Sequence, residues 1–294
     1  MPPVALVTCA ALPNLTDDDR LLIPALAARG IGAVPAVWDD DAVDWRAFAA
    51  VVIRSTWDYH LRQPRFLAWI DRLEALGVRL INPAPVLRWN AEKTYLRDLA
   101  DAGVSVVPTR WVEPGDTAPL SGILRETGWS RAVVKPSIAA TAYRTWSTDV
   151  TSVDADEARF RELVAAGRVL VQPFIEAIAA EGEWSLMFFG GVYAYSVLKT
   201  PRAGDFRVQS DFGGGVVARH AGSALVAQAS GVLEAAPFTR SELTYARVDG
   251  CVVEGTFALM ELEVLEPGLF LAVGPRGADD FADALVHAHA DPLL

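Results

Sequence analysis

Short apolar runs alternate with helical patterns along the first quarter of the chain, and this alternation constrains the fold more than any other feature of the sequence. Apolar runs of strand length predict strands, and apolar residues spaced by three and four predict helices. The predicted strands are Val4 to Thr8, Val34 to Trp38 and Val51 to Arg54, and the predicted helices are Leu21 to Ala28 and Arg65 to Leu76. Such alternation is typical of a small parallel sheet with functional loops at its strand ends. We therefore expect an α/β fold.

The rest of the chain has a different character. After Pro83 the alternation stops, and Ala91 to Ala102 predicts a helix. From Trp184 onwards the predicted strands form hairpins, the first of them joined by a turn at Gly190. A chain of 294 residues has room for two or three small lobes. We expect α+β lobes after the parallel sheet.

Charge and composition exclude several classes of partner. The net charge of -11 would repel a nucleic-acid backbone or an anionic membrane surface, so we expect neither as a partner. No apolar run approaches the length of a membrane span, and the chain starts without a positively charged leader. Cys9 and Cys251 have no second thiol or histidine at ligand spacing, so both are predicted to be buried thiols. We expect a protein of the reducing cytoplasm.

Three carboxylates near the end of the chain predict a metal site. Glu261 and Glu263 lie two apart in LMELEVLEP, which places both on one face of a strand, and Asp249 ends the preceding strand. Two inward carboxylates on an apolar strand would repel each other unless a cation neutralised them. Magnesium suits such a site because it binds carboxylates and leaves positions for phosphate oxygens. The alternative is the solvent-facing side of an edge strand, and Glu266 is predicted to be a turn residue.

Lysine is scarce, since the chain has three lysines against 23 arginines. Lys135 is the most informative, because it ends an apolar strand immediately before Pro136 and a loop of small residues. Backbone amides of such a loop, with a lysine beside them, can bind phosphate groups. Arg207 and Gln209 in GDFRVQ could add donors for a phosphate or a carboxylate. For each of these residues, exposure to solvent is the competing explanation.

In their order along the chain from Asn90 to Gly274, the motifs resemble those of the ATP-grasp ligases, particularly the ribosomal-protein glutamate ligase and the bacterial glutathione synthetases. The resemblance implies an ATP-grasp fold, in which two lobes grip ATP after an N-terminal domain. We expect the domains to span residues 1–88, 89–168 and 169–294. The implied cofactors are ATP and Mg²⁺, with Mn²⁺ as an alternative ion, and proteins of this branch are often homo-oligomers.

The resemblance also implies a role for individual residues, which fall into four groups. The charge of the phosphates would be balanced by Lys93 in WNAEKTYL, Lys135 in AVVKPSIAATAYRT, Lys199 and Arg207, of which Lys199 and Arg207 are also the predicted catalytic groups. The adenine would meet a hinge at Gln172, Pro173, Phe174 and Ile175. The ribose would be bound by Glu183, or second by Glu176, with Gln209 as a further nucleotide contact. Mg²⁺ would be bound by Asp249, Glu261 and Glu263.

Two features depart from the family pattern. The last metal ligand of the family is usually asparagine, and this chain has Glu263, which adds negative charge to the site. The loop that covers the phosphates is usually rich in glycine, but here it is SIAATAYRT and contains none. We therefore place more weight on Lys135 than on any residue of that loop.

Within the superfamily, VIRSTWDYH and MELEVLEPGLF resemble the cyclo-ligases that close cycloserine from O-ureido-serine. The resemblance implies an ADP-forming carbon–nitrogen ligase with a small amino-acid-like substrate, which is activated as an acylphosphate and attacked by a nitrogen. Arg54, at the end of a predicted strand, is a candidate for holding a carboxylate of the substrate, and Asp18 or Asp19 for an amine, and the competing explanation for Arg54 is a surface or structural ion pair. The alternatives are a ligase that joins two amino acids, a kinase that stops at phosphate transfer, and a nucleotide-binding regulator without turnover.

Overall fold

The computed structural model describes residues 2–202, 204–208 and 213–290, and three sheets organise them. The strands of the first sheet are β1 (Val4–Thr8), β2 (Ala33–Val37), β3 (Ala50–Ser55) and β4 (Leu80–Ile81). They run parallel in the order β2-β1-β3-β4, which confirms the predicted parallel sheet. Its helices are α1 (Asp17–Arg20), α2 (Leu22–Ala27) and α3 (Gln63–Ala75), with short 3-10 turns at Trp45–Ala47 and Tyr59–Leu61. Strands β1 and β3 are buried along their whole length, as expected of parallel strands covered on both faces.

Two short helices follow the first sheet: α4 (Ala84–Asn90) and α5 (Tyr95–Asp101). The sequence predicted one helix from Ala91 to Ala102, so α4 was missed. Proline at the start of the segment suggested a break, but proline is well tolerated in the first turn of a helix. The turn between the two helices carries Lys93.

The middle sheet is antiparallel, with the order β5-β8-β6-β7. Its strands are β5 (Arg110–Val112), β6 (Arg131–Pro136), β7 (Trp146–Asp149) and β8 (Val169–Pro173). Helices α6 (Leu120–Thr127) and α7 (Val153–Ala166) pack on it, with Leu124 and Phe160 beside Val134 and Val171 in one apolar core. Amphipathic helices covering a sheet in this way bury the apolar face of both.

The third sheet is antiparallel and five-stranded, with the order β11-β10-β9-β12-β13. Its strands are β9 (Glu183–Phe189), β10 (Val192–Thr200), β11 (Gly215–Ala218), β12 (Tyr245–Val253) and β13 (Thr256–Glu263). The remaining helices are α8 (Glu176–Ala180), α9 (Ser223–Ala235) and α10 (Gly277–Ala290), with a 3-10 turn at Arg240–Glu242. Cys251 in β12 and Cys9 are buried free thiols, as predicted.

Packing between the sheets bears on where the lobes divide. Strand β8 pairs with β5 and β6, so it belongs to the middle sheet although the predicted boundary at 168/169 precedes it. Helix α5 contributes Leu96 and Leu99 to the core beneath β9 and β12. We propose that the middle lobe ends after Pro173 and that α5 belongs with the third sheet. Within the described residues, no helix is both long and apolar enough to cross a membrane.

Candidate active site

The predicted phosphate, adenine and metal residues converge on one cavity of about 310 Å³, which lies between the middle sheet and the third sheet. The three lysines, the hinge residues 172–175, Glu183, Arg207 and the three predicted metal ligands all line it. These side chains come from segments far apart in the sequence, so the fold alone brings them together. The cavity is therefore the candidate active site.

Glu261 on β13 lies between two lysines. Its Oε1 atom is 3.5 Å from Nζ of Lys93 and 3.3 Å from Nζ of Lys135. Lys135 stands at the end of β6, and the backbone N–H of Lys93 donates to the carbonyl of Ser137 just beyond that strand, which fixes the lysines side by side. Burial alone would raise the pKa of Glu261, but the charges of Lys93, Lys135 and Arg247 outweigh it and lower that pKa to about 2. The carboxylate is therefore ionised.

A bulge in the β12–β13 ladder places Asp249 opposite Glu261. The bulge lies between Asp249 and Gly250, and it needs glycine there, because a Cβ atom would come 2.4 Å from the carbonyl oxygen of Ala258. The local sequence Asp-Gly therefore aims the Asp249 carboxylate into the cavity beside Glu261.

Lys199 on β10 connects Asp249 with Glu183. Its Nζ atom lies 2.5 Å from Glu183, which is its partner in the β9–β10 ladder, and 3.5 Å from Asp249. Ser185 donates a hydrogen bond of 2.6 Å to Asp249. Burial raises the pKa of Glu183, and the attraction of Lys199 offsets that rise only in part. Glu183 thus lies in the charged cluster rather than at the rim of the cavity.

Arg247 is a residue of the cavity that the sequence analysis missed. Its guanidinium lies 2.8 Å from Asp249 and 2.6 Å from Glu263, and it donates a 2.7 Å hydrogen bond to the carbonyl of Gly268. Burial, together with repulsion from Asp249, Glu261 and a further carboxylate, raises the pKa of Glu263 to about 8 despite Arg247. The signal was available, because Arg247 precedes Asp249 by two residues in ARVDG and must share its face of the strand.

The hinge residues form an apolar end of the cavity. Phe174 lies 6.1 Å from the ring of Phe206, and the guanidinium of Arg131 lies 3.7 Å above Phe174. Gln172 donates to the hydroxyl of Thr109 at 2.9 Å, which turns its side chain towards the protein. Flat apolar walls at a strand end offer a surface for an aromatic base.

The three other predicted nucleotide contacts differ in whether they line the cavity. Arg207 lines the cavity and donates to Asp205, which raises the pKa of the guanidinium. Glu176 pairs with Arg131 on the surface at 2.7 Å and is not among the described residues that line the cavity. Of the two predicted ribose ligands, Glu183 is the one that lines it. Gln209 lies outside the described residues.

The loop of residues 137–145, predicted to cover the phosphates, takes a strained backbone without glycine. Thr141, Ala142 and Arg144 have φ values of 50°, 55° and 49°, in the left-handed region that non-glycine residues seldom adopt. Thr141, Ala142 and Thr145 line the cavity. Outside the cavity, Tyr143 packs against His60 of the N-terminal domain at 4.8 Å.

The predicted substrate contacts Arg54, Asp18 and Asp19 are not among the described residues that line the cavity. Arg54 is fully buried and donates to Asp19 at 3.0 Å and to the carbonyl of Pro267 at 2.7 Å. Asp18 accepts the backbone N–H groups of residues 271 and 272 at 2.9 and 2.8 Å. The donors and acceptors of these side chains are used within the protein, so their role here is to hold a segment of backbone.

We call that segment, residues 266–272, the substrate loop. Successive carbonyls of the loop accept hydrogen bonds from side chains elsewhere, namely Trp57, Arg54, Arg247 and Tyr195. Glu266, Gly268 and Phe270 of the loop line the cavity, and Phe270 has a φ of 52°. Side chains of three different strands and the β3 loop therefore fix the loop before any ligand binds.

The donor set suits magnesium, although the carboxylates are now paired with basic groups. Among the described residues, no three histidine, cysteine or acidic side chains are grouped closely enough to hold a metal ion. Carboxylate oxygens are nevertheless the ligands that Mg²⁺ prefers. Burial, and after it repulsion from neighbouring carboxylates, raises the pKa of Glu263, and a bound cation would oppose that rise. Asp249, Glu261 and Glu263 therefore fit the ion by their chemistry.

Comparison with known proteins gives matches along the whole chain. A model of the N-terminal domain of D-cycloserine synthetase DcsG matches residues 4–82. The cycloserine biosynthesis protein DcsG of Streptomyces lavendulae is 33% identical over 293 residues, which cover 96% of this chain and 97% of that protein.

Solved structures give the same result. The crystal structure of D-cycloserine synthetase DcsG has a TM-score of 0.89 and 34% identity, covering 97% of this chain and 99% of its own. A RimK-domain ATP-grasp protein of Sphaerobacter thermophilus has a TM-score of 0.69 at 20% identity, covering 96% and 99%, which shows the fold. These matches confirm both the predicted ATP-grasp fold and the resemblance to the cycloserine-forming branch. The chain therefore has the ATP-grasp fold and belongs to the D-cycloserine synthetase family.

Proposed function

We propose that this protein is an Mg²⁺- and ATP-dependent ligase that closes O-ureido-serine to cycloserine. The observation that carries the proposal is the single cavity in which Lys93, Lys135 and Lys199 face Asp249 and Glu261. Identity of 33% with a cycloserine biosynthesis protein over 96% of the chain supports the substrate. The name of the solved relative, D-cycloserine synthetase, favours the D enantiomer.

In this proposal ATP occupies the cavity with its adenine against Phe174 and Phe206. The lysines and Arg207 would then balance the phosphate oxygens. Magnesium, bound by Asp249, Glu261 and Glu263, would neutralise charge on the phosphates, and Mn²⁺ accepts the same ligands. Lysines that now pair with carboxylates would exchange those partners for phosphate oxygens, which suits a site that must remain stable without nucleotide.

Ring closure takes two chemical steps, and a further step removes the carbamoyl group. A carboxylate oxygen of the substrate attacks the γ-phosphorus and ADP leaves, which gives an acylphosphate. The nitrogen bound to the side-chain oxygen attacks the acyl carbon, phosphate leaves with the bonding electrons, and a five-membered ring closes. Because cycloserine lacks the carbamoyl group, water must remove that group as carbon dioxide and ammonia. Arg247, which lines the cavity beside the substrate loop, would stabilise the oxyanion at the acyl carbon by its positive charge.

Exclusion of water protects the acylphosphate, and two parts of the chain would provide it. The loop of residues 137–145 borders the cavity and contacts the N-terminal domain through Tyr143 and His60. The substrate loop borders the cavity through Glu266, Gly268 and Phe270. A nitrogen of the same molecule, held in such an enclosure, has a high effective concentration at the acyl carbon.

The experiment is ADP release with Mg²⁺ and ATP over a panel of amino acids that includes both enantiomers of O-ureido-serine, with the mass of each product. Glu261→Ala is the inactive blank, and Glu74→Gln on the surface of α3 is the matched control. We expect ADP and a cyclic product with O-ureido-serine alone. A dipeptide or a stable phosphorylated product would replace the proposal with a joining ligase or a kinase. ATP binding without any ADP would make the protein a regulator.

We also propose that the enzyme acts in the cytoplasm, on a small substrate without nucleic acid, as a homo-oligomer. The net charge of -11 and the absence of a spanning helix among the described residues support the first two statements. Light scattering on the purified protein tests the third, and a mass near that of one chain would contradict it.

A further inference from the structure

Glu266 differs from the other acidic side chains of the cavity in forming no ion pair with a described basic side chain, although its carboxylate accepts a hydrogen bond from its own backbone N–H. Asp249, Glu183, Glu261 and Glu263 each form an ion pair with a lysine or an arginine. Within the described ranges, no side chain forms an ion pair or hydrogen bond with the carboxylate of Glu266. This residue is only 9% exposed and lines the cavity. A buried carboxylate without a paired cation is unfavourable in its ionised form unless a ligand supplies the positive charge.

The surroundings of Glu266 suit an organic cation. Trp57 and Tyr59, which follow β3, line the cavity at the same end, and Trp57 donates a 3.1 Å hydrogen bond to the backbone carbonyl of Glu266. That bond fixes the backbone and leaves the carboxylate free of it. Aromatic rings beside a carboxylate are a common binding environment for an ammonium group, because ring faces attract cations.

The two cations that act most on Glu266, Lys93 and Arg247, form their ion pairs with other carboxylates. Lys93 lies beside Glu261, and Arg247 is shared by Asp249, Glu263 and Gly268. Glu266 therefore stands apart from the set of carboxylates proposed to bind metal and lies on the substrate loop, three residues beyond β13.

We propose that the carboxylate of Glu266, walled by Trp57 and Tyr59, binds the α-ammonium group of the amino-acid substrate. The inference rests on the proposed function in so far as that function supplies an amino-acid substrate. It assigns Glu266 as the residue that selects an amino acid over a carboxylic acid without the amine.

Two further observations agree with this subsite. Burial raises the pKa of Glu266 to about 7, and a bound ammonium would offset that burial and return the group to its ionised form. Arg247 reaches the same loop at Gly268, so an amino acid whose ammonium lies at Glu266 can direct its carboxylate towards Arg247 and the lysines. Recognition of one end of the substrate thus orients the other end for attack on ATP.

The test compares kcat/KM for the substrate with kcat/KM for its analogue that lacks the α-amine, which for O-ureido-serine is 3-(ureidooxy)propionic acid. For the wild type we expect a preference of about tenfold to a hundredfold for the amino acid, from a hydrogen-bonded charge pair. Glu266→Gln should abolish this preference by raising KM for the amino acid, with the analogue unaffected. Glu266→Asp, which keeps the charge, should retain part of it, and Glu74→Gln should retain all of it.

Each result decides the question. A wild type without preference, or a Glu266→Gln variant with the wild-type preference, would overturn the proposal. A rise in the Mg²⁺ concentration needed by Glu266→Gln, at unchanged preference, would make Glu266 a metal ligand instead. The comparison uses whichever amino acid the enzyme turns over, so failure with O-ureido-serine alone would refute the proposed substrate and leave the ammonium subsite open to the same measurement. Calorimetric binding with a non-hydrolysable ATP analogue gives the same preference as a ratio of Kd values if a variant is too slow to assay.

Discussion

The two ends of the cavity are built on different principles. At the end lined by Lys93, Lys135 and Glu261, the charges balance one another inside the protein. At the other end, the substrate loop is held by hydrogen bonds from Arg54 and Trp57 of the N-terminal domain, and Glu266 forms no ion pair with a described side chain, although Lys93 is the charge that acts on it most. The segment matched by the N-terminal family model, residues 4–82, contains both tethering residues. The comparison suggests that the first end serves the nucleotide and the second the substrate.

The largest effect should come from Arg247, because it belongs to both ends. Arg247→Gln leaves Asp249 and Glu263 buried without their guanidinium partner and removes the bond to Gly268. Loss of one partner from a buried charge cluster costs about 3 to 5 kcal/mol of stability. Loss of an oxyanion donor lowers kcat by about a hundredfold to a thousandfold. Thermal unfolding and ADP release measure the two effects.

A second substitution separates these two consequences. Arg247→Gln combined with Glu263→Gln removes one of the two carboxylates left without their guanidinium partner, so we expect it to recover part of the stability and none of the activity. If Arg247→Gln alone kept kcat/KM within threefold of the wild type, Arg247 would have no part in the chemistry.

Arg54 tests the substrate end alone. Arg54→Lys keeps the charge beside Asp19 but cannot also reach the carbonyl of Pro267, because an ammonium lacks the fork of the guanidinium. We expect a loss of about 2 kcal/mol in stability and a rise of about tenfold in KM for the amino acid, with KM for ATP unchanged. Arg88→Lys, in a surface pair with Asp71, is the matched control and should change neither. An equal rise in both KM values would contradict the division of the cavity.

Glu266 predicts how stability without ligand depends on pH. Lys93, Arg247 and Glu261 are the charged groups that act on it most, and burial raises its pKa to about 7 from an ordinary value near 4.5. The folded state therefore holds a proton that the unfolded state has released, so stability is complete below about pH 4 and falls as pH rises through 7. Glu263, with a pKa of about 8, acts with the same sign, whereas Glu261 acts only in acid.

Unfolding in denaturant between pH 5 and pH 8 measures this dependence. Glu266→Gln should flatten the fall in stability without abolishing it, because Glu263 still contributes. Identical slopes for the variant and the wild type would show that Glu266 is paired in the folded state.

The sequence predicted residues of the charged end better than residues of the substrate end, because only the former carry local signals. The spacing of two residues singled out Glu261 and Glu263 as predicted metal ligands, and the position at the end of a strand singled out Lys135 as a predicted phosphate contact. Both signals are local in the sequence. The sequence could not show that Arg54 is turned into the protein, because its partners at Asp19 and Pro267 are remote from it along the chain. For the same reason Glu266, taken for a turn residue, was missed. The strand order of the middle sheet, which places β8 beside β5, also depends on distant pairing.

The smallest effect should come from the loop of residues 137–145, which the two ends share as a cover. Ala142 has a φ of 55°, so Ala142→Gly should relieve strain and raise stability by up to about 1 kcal/mol, despite the greater freedom that glycine gives the unfolded chain. Ala140→Gly is the matched control, since Ala140 lies in the same loop without a positive φ and should lose stability. If the strain keeps the loop poised over the phosphates, Ala142→Gly should also raise KM for ATP a few-fold and leave the preference for the amino acid intact. A change in that preference instead would mean that the loop serves the substrate end, and the two ends would no longer be independent.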